Sequence, residues 1–166
     1  MGIVVDIEWP NAGLSDRDIS NAAQIDGSKI IRQQANSVEV YAQGTSVADD
    51  VTKTILMVYG KVGTLIALEA SIFEAGADPS TVTVDLQKST AGGAFATVLS
   101  SALSITHSTA ERTPVSLTST STPSISTTAL VAGDILQIVV DTSSKGATPP
   151  EGLLVTLTYQ EAGKSA

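Results

Sequence analysis

Apolar residues recur at every second position in three segments of the chain. In residues 81–87, Val82, Val84 and Leu86 alternate with Thr83, Asp85 and Gln87. In residues 134–141, Leu136, Ile138 and Val140 share one side. In residues 152–160, Leu153, Val155, Leu157 and Tyr159 point one way, and Thr156, Thr158 and Gln160 the other. A period of two belongs to a strand with one buried face. Shorter versions occur at residues 38–43, 95–100, 115–118 and 125–130. Residues 54–59 are apolar on both faces, which predicts a buried central strand. Tyr59 and Tyr159 both read as core. Residues 65–74 predict a long strand with a bulge or bend.

Turn residues separate these segments. Gly76-Ala77-Asp78-Pro79, Thr90-Ala91-Gly92-Gly93 and Ala132-Gly133-Asp134 are turn sequences, and Pro149-Pro150 marks a loop over residues 145–152. The glycines of Gly60-Lys61-Val62-Gly63 and Gly92-Gly93 read as hairpin turns, not as phosphate cradles. Many short strands with frequent turns predict an all-β fold. The expected architecture is an antiparallel β-sandwich, jelly-roll-like, with an extended N-terminal arm. The arm is assigned to residues 1–36, the sandwich to 37–162 and a tail to 163–166. One short helix is expected within residues 15–25, with Ser15 as its N-cap.

The arm carries its own alternation: Ile3, Val5, Ile7 and Trp9 against Val4, Asp6 and Glu8. Leaving such side chains in water forfeits about 1.5–3 kcal/mol for each large one. Two destinations fit. The segment adds an edge strand to its own sandwich, or it pairs with a neighbouring subunit or an underlying shell by strand addition. In the second case Ile3, Val5, Ile7 and Trp9 are the partner-binding residues.

Composition narrows the chemistry. The 166 residues include no cysteine and one histidine, His107. A disulfide framework, a thiolate nucleophile and a cysteine zinc site are ruled out. His107 sits in a polar connection and reads as an exposed loop residue. The acids Asp85, Asp134, Asp141, Glu69 and Glu74 fall at outward strand positions or turns, where they serve solubility. Asp49-Asp50 lacks the spacing of a calcium loop. No catalytic residue, cofactor or metal site is expected, and the chain is expected not to be an enzyme. The net charge of −8 opposes binding to phosphate backbones, so no nucleic-acid partner is expected. No apolar run reaches the length of a membrane-spanning helix, and no membrane partner is expected. The N-terminal sequence lacks the features of a signal peptide, which predicts synthesis in the cytoplasm without export by the secretory route.

The order of motifs in the second half resembles a known family. Thr81-Val82-Thr83-Val84-Asp85-Leu86-Gln87 leads into a turn. Ala132-Gly133-Asp134 precedes the strand from Ile135 to Asp141. A Gly/Pro loop then leads to the segment from Gly152 to Glu161. This is similar to the small β-sandwich head decoration (cement) proteins of tailed bacteriophages, over roughly residues 38–161. The resemblance implies a virion structural protein on the capsid surface. It implies contacts with the major capsid protein, assembly as a homo-oligomer (commonly a trimer), and a terminal arm as anchor. It implies no active site. The alternatives are a tail, fibre or baseplate module, or a receptor- or glycan-binding β-sandwich.

Overall fold

The structure is a computed structural model in which residues 32–59, 62–77 and 79–161 are described. They form ten strands: β1 (Arg32–Ser46), β2 (Val51–Met57), β3 (Gly63–Glu74), β4 (Thr81–Ser89), β5 (Ala96–Thr97), β6 (Leu103–Thr106), β7 (Val115–Thr118), β8 (Ala129–Leu130), β9 (Ile135–Ser144) and β10 (Glu151–Glu161). No helix occurs among the described residues. The helix expected within residues 15–25 lies outside them.

The strands make two antiparallel sheets. One runs β1-β10-β3-β7, with β8 also beside β3. The other runs β2-β9-β4-β5, with β6 also beside β4. β7 and β8 pair with different parts of β3, and β5 and β6 with different parts of β4. Each sheet thus has four strand positions. The first strand pairs with the last and the second with the one before it, the nested order of a jelly roll. The expected sandwich is therefore present, including its jelly-roll character.

Alternation builds the core. Val82, Val84 and Leu86 of β4, Leu136, Ile138 and Val140 of β9, and Leu153, Val155 and Leu157 of β10 are all buried in one cluster. Leu65, Leu68 and Ile72 of β3, beside β10, complete it. The strand region starts at Arg32, which pairs with Glu161, and not at residue 37. Residues 32–35 are exposed, so backbone pairing and not burial makes them strand.

Two expectations are corrected at β2. Among the described residues it is an edge strand, not a central one. Leu56 alone of residues 54–59 is buried, and Tyr59 is 96% exposed rather than core. The chain here leaves one sheet for the other, so the segment containing Val62 and Gly63 is a crossover and not a hairpin turn. The hairpin at Gly92-Gly93 is present: Gly93 N–H donates to the Thr90 carbonyl, and β4 pairs with β5.

Among the described residues β1 is an edge strand, and that edge is guarded from the facing sheet. Lys53 Nζ, on β2, donates to the carbonyls of Glu39 (2.8 Å) and Val40 (2.9 Å). A charged side chain placed over an edge strand blocks addition of foreign strands.

Candidate functional site

The outer face of the β1-β10-β3 sheet holds an open cleft of about 320 Å³. Strand register assembles it. Glu39 of β1, Leu154 of β10 and Ser71 of β3 form one row across the sheet. Beyond that row β1 bulges between Glu39 and Tyr41, an irregularity that re-aims side chains. Phe73 and Gln43 then flank Gly152, which has no side chain to fill the gap, and Tyr41 also lines the cleft. Leu154, outward on β10, leaves an apolar floor 44% exposed.

Gly152 is required where it stands. Its φ is +62°, and a Cβ there would lie 3.0 Å from Phe73 Cβ and 3.3 Å from Gln43 Cα. Gly152→Ala is expected to destabilise the fold by about 1–3 kcal/mol through left-handed strain and crowding. Urea denaturation checks this; an unchanged midpoint would mean the strand relaxes around the methyl group.

Arg112 roofs one side of the cleft. Its guanidinium lies 4.2 Å from the centroid of the Phe73 ring, a cation–π contact. Its backbone φ is +55°, an uncommon value for a residue with a side chain. Two bonds hold the loop there: Arg112 N–H donates to the Ile72 carbonyl (2.8 Å), and Ala75 N–H donates to Glu111 Oε1 (3.2 Å). The guanidinium has no hydrogen-bond or ion-pair partner among the described residues. On the opposite side the Tyr41 hydroxyl donates to the Asp49 carbonyl. Burial pushes its pKa up and the charges of Asp49 and Asp50 add to this, so it stays a neutral donor at pH 7.

A second surface lies at one end of the sandwich. Met57, Tyr59 and Val62 are exposed there, and with Leu130 and Tyr159 they line a cleft of about 180 Å³. Grouped exposed apolar side chains mark contact surfaces.

The acidic residues do not converge. Among the described residues no three of His, Asp and Glu gather as metal ligands. Asp85 accepts from Thr97 Oγ1 (2.5 Å) and Gln87 Nε2 (3.1 Å) on the outer face of the other sheet. Asp50 Oδ1 accepts from the Thr142 N–H (2.8 Å) and hydroxyl (2.9 Å). Asp141 is exposed and accepts from Ser143 N–H (2.7 Å). His107 is exposed, as expected. Asp134 corrects the reading of it as a solubility residue: it is 0% exposed. Its carboxylate accepts from Thr90 Oγ1 (2.7 Å) and Val131 N–H (2.9 Å) and pairs with Lys88 Nζ at 3.4 Å. That network pins a turn and has no open access.

The arm residues Ile3, Val5, Ile7 and Trp9 lie outside the described residues. The sheet-face cleft was missed in the sequence because its members come from three distant segments.

No protein family matches the chain, and no curated protein matches it. Two solved chains are similar in part. One comes from the structure of infectious bursal disease virus, Gx strain, at 13% identity and a TM-score of 0.33, covering 84% of this chain and 38% of that one. The other comes from the structure of the Gt strain of the same virus, at 15% identity and a TM-score of 0.28, covering 100% of this chain and 45% of that one. This chain thus spans less than half the length of either. Both TM-scores lie below 0.5.

Proposed function

We propose that this chain is a non-catalytic structural component of a virion that decorates a bacteriophage capsid. The observation that carries the reading is the jelly-roll body, an architecture used by viral capsid domains, lectins and cupins. That step from fold to function is an analogy. The exposed apolar end at Met57, Tyr59 and Val62 favours protein contact as the role. In this reading the body sits on the capsid surface as an oligomer, a trimer on the family resemblance. The segment holding Ile3, Val5, Ile7 and Trp9 anchors it to the major capsid protein. Many weak contacts repeated over a symmetric shell sum to firm attachment.

The test is to mix purified protein with expanded capsids prepared without it, and to sediment them. The full chain is expected to co-sediment and to raise the temperature at which the shells come apart. Deleting residues 1–13 is expected to abolish sedimentation while circular dichroism of the body is unchanged. Full-length protein that stays folded yet never sediments with shells would remove the reading. Attachment to tails in place of heads would assign the chain to a tail, baseplate or fibre.

A further inference from the structure

We propose that the cleft on the outer face of the β1-β10-β3 sheet binds one neutral saccharide unit. Its walls carry opposite capacities. Glu39, ionised, only accepts hydrogen bonds, and Arg112 only donates them. Gln43 and Ser71 do both, and Leu154 supplies an apolar floor. The Arg112 guanidinium carbon lies over the Phe73 ring, and a cation–π contact of this kind takes up no N–H hydrogen bond, so its donors are available to a ligand.

The chemistry of the two walls discriminates among occupants. A carboxylate satisfies Arg112 and is repelled by Glu39. An ammonium does the reverse. A purely apolar side chain desolvates both charges and partners neither, which is costly. Glu39 and Phe73 stand on strands separated by β10, two strand spacings or about 9.6 Å apart. A single small ion cannot touch both sides. A ring bearing hydroxyls around its rim can, because each hydroxyl both donates and accepts. Its C–H face would rest on Leu154, between Tyr41 and Phe73. The volume of about 320 Å³ lies at the small end of ligand sites and suits one such ring. The strained backbone of Arg112 is consistent with this, since held strain concentrates at ligand clamps.

The inference is independent of capsid attachment, and its test uses the isolated full chain without shells. Isotope-labelled protein is titrated with the methyl glycosides of glucose, galactose, mannose and N-acetylglucosamine, and with sodium acetate as a charge control. At least one glycoside is expected to shift the amide signals of Gly152, Leu154 and Phe73 saturably, with a Kd on the order of 1 mM. Arg112→Leu and Glu39→Gln are each expected to weaken that binding about tenfold, the scale of one hydrogen bond to a charged group. Both residues are exposed, and unshifted signals elsewhere establish that the variants fold. The proposal fails if none of the glycosides shifts these signals, if acetate alone does, or if binding survives in both variants.

Discussion

Asp134→Ala is expected to destabilise the protein by about 3–5 kcal/mol, the scale for removing one member of a buried ion pair. The carboxylate is fully buried. Its loss leaves the Val131 N–H, the Thr90 hydroxyl and the Lys88 ammonium without it. Lys88 retains a bond to the Ala129 carbonyl (2.9 Å), which softens the loss on that side. The same turn also fastens the exit of β2, since Val58 N–H donates to the Asp134 carbonyl and Gly133 N–H donates to the Val58 carbonyl. Against a typical total stability of about 5–15 kcal/mol, the variant should unfold at much lower urea. A loss under about 1 kcal/mol would mean that water enters the turn and replaces the carboxylate.

The same group gives the protein an acid limit. Burial acts to raise the Asp134 pKa, but the Val131 N–H, the Thr90 hydroxyl and Lys88 together outweigh it and hold it below the ordinary value. The unfolded chain therefore takes up the proton more readily than the native one. Asp134 stabilises the fold above the unfolded value of about 3.9, and that contribution is lost as pH falls below it. Asp141 has the same sign, through the Ser143 N–H and hydroxyl, but it is exposed and its share is screened. Wild-type stability should fall steeply below about pH 4, and Asp134→Ala should flatten that fall.

Leu136→Ala is expected to cost about 2–5 kcal/mol, the range for emptying a leucine-sized space in a packed core. Leu136 is 0% exposed. It lies on β9, flanked by Leu56 of β2 and Lys88 of β4. An internal strand cannot move inward to close the gap without breaking pairing on both sides. Leu154→Ala, on the solvent face of β10, is the contrasting substitution and should stay within about 0.5 kcal/mol. Equal losses at the two positions would contradict the assignment of faces.

The legible part of this fold was the part governed by a single rule. β4, β9 and β10 announce themselves because each buries one face, and side-chain alternation follows directly. The β2 segment misled for the same reason. Apolar residues on both faces read as double burial, yet here the outward ones, Met57 and Tyr59, are exposed at an end of the sandwich. Asp134 misled because a Gly-Asp turn sequence is identical whether the acid faces water or a buried lysine; Lys88 sits on another strand. β1 was cut short because residues 32–35 have no buried face and are strand only through pairing with β10. The cleft could not be read at all, since nothing local places Tyr41, Phe73, Arg112 and Gly152 together.

Pairing of the first strand with the last also sets when this body can form. While the chain is being synthesised, β1 has no strand partner among the described residues until β10 emerges from the ribosome, and β3 lacks the neighbour that separates it from β1. That sheet must therefore wait for β10 to be made, and closing so long a loop carries an entropic cost that only late contacts offset. Folding should be slow for the chain's size, in the milliseconds-to-seconds range of non-local β topologies. During that interval unpaired strand edges are open to other nascent chains.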